Sequence, residues 1–156
     1  MNARGSEQRA LFRHWPTGVS VVVAESGGRR AGLTVNSLVS LSLEPPLVGI
    51  SLALSASLYE PLREAGEWSV SLLAGDQEHV AQHFARSIPP IALWDGIDVR
   101  DDDPLLLANA VGWLHVRTVD EVEAGDHTVF VGEVQRLEQG SGKGALVYLG
   151  QAYQSL

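Results

Sequence analysis

Cysteine is absent from the 156 residues. That removes disulfide staples, thiolate nucleophiles, Cys-ligated iron–sulfur clusters and Cys-type zinc sites together, so any redox chemistry has to come from a bound cofactor. Basic charge is scarce: 11 Lys and Arg stand against 19 Asp and Glu, a formal balance of −8. A field of that sign opposes non-specific attraction to nucleic-acid phosphates or anionic lipid, and only a local basic pocket escapes the argument. No stretch approaches about 20 uninterrupted apolar residues, and the polar start Met1–Arg9 has no apolar segment of signal type. The expected location is cytoplasmic, with neither membrane nor nucleic acid as a partner. Internal repeats and low-complexity linkers are missing too. What is present is a hydrophobic fraction of 45%, about the share at which soluble chains bury enough surface to fold, in a length that suits one domain over 1–156.

The patterning is mostly that of strands. Ser6 is placed to cap a short helix running to about His14, with Ala10, Leu11 and His14 on one side, before Pro16-Thr17-Gly18 stops it. Val19 to Ala24 is a β-branched run, Ser26-Gly27-Gly28 is turn chemistry, and Ala31 to Val35 is the expected hairpin partner. In Val39 to Leu43 apolar residues alternate with serines, which predicts one buried and one polar face. Leu47 to Leu52 follows Pro45-Pro46 as another strand. Ser57-Leu58-Tyr59-Glu60 has capping-box spacing and predicts a helix closed by Gly66, with a strand over Trp68 to Leu73. Asp76 is expected to cap a helix in which Val80, Ala81, Phe84 and Ala85 share one face, with His79 and His83 toward the other edge. Residues 87–109, with three prolines and a run of aspartates, read as a long surface loop. Strands return over Val111–Val122 and Thr128–Leu137, joined at Ala124-Gly125-Asp126, and over Ala145–Leu149. About eight strands in antiparallel stretches predict a mainly β chain whose sheet closes into a barrel, which removes exposed edges.

Several local patterns suggest chemistry. Gly140 to Gly144 lies between two strands and Lys143 is followed by Gly144, so neither a dinucleotide fingerprint nor a phosphate loop is satisfied, and a hairpin turn is expected. Gly49-Ile50-Ser51-Leu52-Ala53 ends in Ala within a continuous strand, which argues against Ser51 as a nucleophile. His79 and His83 have metal-ligand spacing but no third ligand nearby, and no metal site is expected. Asp126-His127 at a tight turn is equally a turn aspartate beside a half-exposed imidazole or a titratable ring aimed into a cleft. Thr34-Val35-Asn36-Ser37 gathers hydrogen-bonding side chains between two strands. Ser55 and Ser57 put hydroxyls at a helix start, where Ser57 serves equally as a plain cap or as an anion contact beside backbone N–H groups.

Taken in order, Phe12 to Val19, Gly32 to Leu38, Ser42 to Val48, Leu62 to Gly66, Ala124 to Thr128 and Tyr148 to Tyr153 resemble the flavin reductase family, the short-chain NAD(P)H:flavin oxidoreductases with the FMN-binding split-barrel fold. The resemblance spans nearly the whole chain. It implies a split β-barrel of Greek-key type with two or three short helices, a homodimer holding FMN or FAD near the subunit interface, and hydride transfer from NADH or NADPH to the flavin. It further implies delivery of reduced flavin to a partner monooxygenase. By position, Thr34, Val35, Asn36 and Ser37 would line the isoalloxazine and ribityl chain, Ser51, Leu52, Ser55 and Ser57 would hold the ribityl and phosphate part, and Phe84, Ala85 and Arg86 would flank the flavin. His127 resembles the residue that meets the nicotinamide, with Tyr148, Gly150 and Tyr153 close by.

Leu54 and Leu58 stand where the family often carries Lys and Thr, which removes a positive charge and a hydroxyl from the phosphate loop, so that either flavin affinity is weak or the phosphate relies on helix N–H groups and Arg86. Since the cofactor does the hard step, the protein has to stack two rings and exclude water. His127 is therefore assigned to orienting or neutralising the dinucleotide rather than to proton abstraction, and backbone N–H groups near Asn36 and Ser37 to the flavin carbonyls. The alternative readings are a non-catalytic flavin- or haem-binding split-barrel module, a pyridoxamine-phosphate oxidase-like enzyme, and a purely structural dimer domain.

Overall fold

The computed structural model describes all residues, 1–156. The order is α1 (Ala3–Phe12), β1 (Thr17–Gly18), β2 (Ser20–Ser26), β3 (Arg29–Val35), β4 (Val39–Leu43), β5 (Pro46–Ala53), α2 (Tyr59–Ala65), β6 (Glu67–Leu72), α3 (Glu78–Phe84), β7 (Gly112–Ala124), β8 (His127–Gln139), β9 (Leu146–Leu149) and β10 (Ala152–Ser155). Seven strands form one antiparallel sheet in the order β3-β2-β6-β7-β8-β5-β4, and β1-β9-β10 form a second. No helix is long and apolar enough to cross a membrane.

Successive residues of a strand point to opposite faces, and β2 uses both. Val22 and Ala24 enter one core cluster while Val21 and Val23 enter another, and all four are fully buried. The first cluster joins Val35 of β3 to Ile50 and Leu52 of β5, strands far apart in sheet order, together with Trp68, Val116 and Phe130. A flat sheet could not bring those side chains together, so the sheet curls into the expected barrel. Leu58 and Leu62, both fully buried, plug it from α2 and the turn before it. Leu58 is thus a core residue, which accounts for an apolar side chain there. Where β3 and β5 approach without pairing, Ser37 Oγ donates to the Ser51 carbonyl and accepts from the Ser51 N–H, at 3.1 and 3.0 Å.

The second cluster lies on the outer face of β2 and is covered by Val80, Ala81 and Phe84 of α3, Leu93 and Leu107, and Leu146 of β9. Residues 87–109 form the long loop that their prolines and aspartates predict, with no helix or strand, but it does not lie wholly on the surface. Leu93, Leu106 and Leu107 are buried, and polar groups strap the segment down. Trp94 Nε1 donates to the Arg30 carbonyl at 2.9 Å, the Arg30 guanidinium stacks 4.1 Å from the Trp94 ring centroid, and buried Gln77 donates from Nε2 to the Ala108 carbonyl at 2.9 Å. His83 Nε2 is bonded to the Leu93 carbonyl.

Other local expectations also change. Helix α1 starts earlier than predicted: Asn2, not Ser6, is its cap, with Oδ1 accepting from Gly5 N–H at 2.8 Å, and the helix buries none of its residues. Neither Ser57 nor Asp76 caps a helix; the cap positions are Leu58 and Gln77, without a side-chain cap bond. Gly66 does close α2 in the left-handed conformation. Ala85 is exposed rather than sharing the buried face of α3. Val39, Leu41 and Leu43 are exposed rather than buried, because β4 is the last strand of its sheet and nothing in the chain covers that face. Gly140 to Gly144 is not a hairpin turn, since β8 and β9 belong to different sheets. A Cβ on Gly142 would come within 2.5 Å of the Asn109 carbonyl, so its lack of a side chain permits a close crossing of two backbones.

Candidate functional site

The register of the large sheet gathers one group of predicted residues. Ser51 pairs with Val129, and Ala53 pairs with His127 two residues on, so His127 lies beside the end of β5 that leads into Ser55 and Ser57. The turn before His127 is fixed to that same end by a bond from Leu54 N–H to the Asp126 carbonyl at 3.0 Å. Ser37 reaches Ser51 by its hydroxyl, which brings the Thr34 to Ser37 segment alongside. Asn36, Ser51, Ser55, Ser57 and His127 therefore border one end of the barrel.

The side chains in this group differ in what they leave free. Thr34 Oγ1 donates to the Ala81 carbonyl at 2.6 Å, and the Ser37 hydroxyl is committed in both directions, so both offer a ligand mainly their backbone. Strand β3 is an edge strand, which leaves one row of its N–H and C=O groups unpaired within the sheet. Val35, Leu52 and Phe84 are buried core side chains. Phe84 packs edge-on against Trp94 and fills the space above Gly32, where a Cβ would lie 2.9 Å from its ring. Asn36, Ser55, Ser57, Ala85 and Arg86 are exposed.

His127 is 44% exposed in its side chain, and its Nδ1 lies 2.7 Å from Asp126 Oδ1. With Nδ1–H donating to that carboxylate, Nε2 is the ring nitrogen left without a hydrogen-bond partner. The hydrogen bond and charge of His127 hold the Asp126 carboxyl below the ordinary aspartate range. The imidazole is thus oriented by its neighbour and open on its other side.

Two cavities divide the remaining candidates. The larger, about 720 Å³, has Ser55, Ser57, Ala85 and Arg86 in its wall together with Gly32 and Leu33 of β3. Arg29, passed over in the sequence, lines it as well; the available signal was an Arg-Arg pair directly after a Gly-Gly turn in an acidic chain. The smaller, about 330 Å³, joins Asn36 to Tyr148 and Gly150, bordered by Arg13, Trp15 and Thr17. Thr17 Oγ1 is buried without a hydrogen-bond partner, an orphan polar atom beside this cavity. Tyr148 pairs with Thr17 and with Tyr153, whose ring centroid is 5.3 Å away. Burial pushes the Tyr153 hydroxyl pKa up, with the neighbouring Tyr148 adding to the shift. Gly150 and Gln151 both have positive φ, as a two-residue hairpin turn requires, and Gly150 N–H donates to the Arg13 carbonyl at 2.9 Å. Phe84 and His127 line neither cavity.

Comparison with known proteins gives concordant relations. The flavin reductase like domain family matches residues 12–156. The chain is 36% identical over 135 residues to the NADH:FMN oxidoreductase of Rhodococcus qingshengii, across 84% of this chain and 69% of that one. It is 38% identical over 150 residues to the reductase component of 4-hydroxyphenylacetate 3-monooxygenase of Thermus thermophilus, across 96% and 94%. Among solved structures, the NADH:FAD oxidoreductase of Streptomyces globisporus matches with a TM-score of 0.90 and 31% identity, over 100% of this chain and 95% of that one. A curled β-barrel with a hydroxyl-rich rim, matched in both sequence and fold across almost its whole length, belongs to the flavin reductase family.

Proposed function

We propose that residues 1–156 act as one cytoplasmic domain that reduces FMN or FAD with NADH or NADPH and passes the reduced flavin to a partner monooxygenase. The observation that carries this reading is the donor set of the larger cavity. In a chain of net charge −8 it presents the hydroxyls of Ser55 and Ser57 beside Arg29 and Arg86, neither of which has a carboxylate partner. Hydroxyls with unpaired guanidinium groups suit a phosphorylated polyol, since Arg presents several N–H donors to phosphate. The residues therefore fit a flavin nucleotide. When bound, the flavin supplies the redox chemistry by accepting a hydride from the reduced nicotinamide.

The chain's own residues bind and align. Backbone groups of Thr34 to Ser37, held by the Ser37–Ser51 clamp, line the ring, and Ser51 and Leu52 continue that wall along β5. Ser55, Ser57 and Arg86 hold the phosphate end and Ala85 flanks it just past α3, while buried Phe84, packed against Gly32, supports that wall from behind. His127, oriented by Asp126, meets the dinucleotide through Nε2, and Tyr148, Gly150 and Tyr153 shape the side on which the nicotinamide lies. Two reactants held face to face avoid the entropic cost of a bimolecular encounter.

A second copy of the chain completes this picture. Phe12, Trp15, Leu41 and Leu43 are 59%, 65%, 48% and 87% exposed in the single chain. Apolar side chains left exposed on the uncovered β4 strand, at the end of α1 and just after it are of the kind that a second copy covers. The homodimer is tested by sedimentation, with Leu41→Asp expected to move the mass from two chains to one. A steady-state assay crossing NADH and NADPH with riboflavin, FMN and FAD under air tests the activity. Acceleration of nicotinamide oxidation is expected, and its absence with every pair would overturn the reading.

A further inference from the structure

We infer that Tyr59 is a positioning residue for His127: its hydroxyl, bonded to Thr128, closes a ring of contacts that locks the turn after β5 to the strand end carrying the imidazole. The inference rests on the proposed meeting of His127 with the dinucleotide. His127 is the last paired residue of two ladders at once, opposite Ala53 on β5 and opposite Ala124 on β7. Ladder ends open most readily, so what holds this imidazole in place lies just outside the sheet. Residues 53–59 supply it. Ala56 N–H donates to the Ala53 carbonyl, Tyr59 N–H to the Ala56 carbonyl and Leu54 N–H to the Asp126 carbonyl, each at 3.0 Å. The Tyr59 hydroxyl then returns to β8, 2.8 Å from Thr128 Oγ1, and the ring is closed.

That last bond is the side-chain link of the ring, and it lies where hydrogen bonds are strong. Thr128 is 2% exposed, and the Tyr59 hydroxyl is the partner of its own; away from water such a bond is strengthened. A second tie runs from α2 to β7 through Arg63 and Glu121 at 3.2 Å, but those side chains are 44% and 35% exposed, and solvent weakens the pair. The Tyr59 ring packs edge-on against Phe130, with centroids 5.6 Å apart, which aims the hydroxyl at Thr128. Successive strand residues face opposite sides, so Thr128 and Phe130 turn inward to Tyr59 while half-exposed His127 turns away from it. Tyr59 therefore leaves the imidazole and its ligand untouched and acts through the backbone that carries them.

Steady-state NADH oxidation with FMN, run beside melting curves, tests the inference. Tyr59→Phe keeps the ring and removes the hydroxyl. It is expected to raise KM for NADH at least about threefold while kcat and riboflavin affinity move less than about twofold. Thr128→Ser, which keeps a hydroxyl, should stay within about twofold of the parent chain. In Tyr59→Phe the buried Thr128 hydroxyl is left unpaired; adding Thr128→Val replaces both partners by apolar groups of similar shape and should recover the melting midpoint. KM should stay raised, because the link is still missing. In the His127→Ala background Tyr59→Phe should raise KM no further. A KM that recovers together with the melting midpoint would show plain support of the fold, and an additive rise over His127→Ala would show a route that bypasses the imidazole; either would overturn the inference. So would an unchanged KM in Tyr59→Phe where His127→Ala raises it, an outcome that leaves the reading of His127 standing. If His127→Ala itself leaves KM unchanged, that reading falls and takes the inference with it.

Discussion

Ser37→Ala tests how the barrel is closed. Strand β4 pairs with β5 only as far as Val39 opposite Gly49, so no strand reaches Ser51 on that side. Both backbone groups of Ser51 are met there by one hydroxyl, at 3.0 and 3.1 Å. A neutral hydrogen bond contributes about 0.5–1.5 kcal/mol net, so removing two costs about 1–3 kcal/mol. The site is partly buried, and water can replace some of what is lost, which places the expectation near the middle, about 2 kcal/mol. For a chain of this length 1 kcal/mol moves Tm by about 2–4 °C, so the melting midpoint followed by circular dichroism should fall by about 4–8 °C. Ser37→Thr, which keeps a hydroxyl on the same carbon, should recover at least half of that. Riboflavin affinity should fall as well, because the clamp fixes Asn36 and its neighbours. A drop of less than about 2 °C in Ser37→Ala would show that the clamp is incidental and that other contacts close the barrel.

Three further outcomes follow from other parts of the molecule. His127→Ala should raise KM for NADH about tenfold, the equivalent of ~1.4 kcal/mol, while flavin affinity moves less than about twofold; steady-state kinetics with parallel flavin titrations would show it, and the opposite split would remove His127 from the nicotinamide side. Leu58→Ala empties the barrel plug and should cost about 2–5 kcal/mol in urea unfolding, against almost nothing if Leu58 served only as an exposed loop residue. For Asp126, the folded-state pKa is depressed by the bond from His127. Stability from this contact is therefore fully present above the unfolded value of about 3.9 and is lost as pH falls through the lower folded value. Carbon-13 NMR should place the Asp126 midpoint below the ordinary aspartate range in the parent chain and return it there in His127→Ala. An unmoved midpoint would show that the pair is not formed in solution.

Much of this protein is written in local pattern. The Gly-Gly turn between β2 and β3, the Gly66 stop of α2, the buried face of α3 at Val80, Ala81 and Phe84, and the Asp126-His127 turn all depend on neighbours a few residues away. Such features survive in a one-dimensional string. The ordered segments that resemble flavin reductases extended that legibility to the family, because each segment keeps its own backbone shape. Where a cap or a face was misjudged, a competing partner was the cause: Asn2 lies closer to the α1 start than Ser6, and Leu58 is taken into the core, which moves the cap position away from Ser57.

Tertiary structure decided the rest. Alternation in Val39 to Leu43 announced an apolar face but not what covers it; strand order put β4 at the edge, so that face stays uncovered within the chain. Composition made residues 87–109 look solvated, yet Trp94, Arg30 and Gln77, 64 and 31 residues from their partners for the two hydrogen bonds involved, tie the segment over the outer core. The meeting of Ser37 with Ser51, and of Arg29 with Arg86 across one cavity, likewise joins residues that no local rule relates. Sequence specifies turns, caps and periodicity because those are short-range steric and hydrogen-bonding preferences. Which faces are covered and which charges converge depends on how a twisted sheet curls, and that is settled only when distant strands pack.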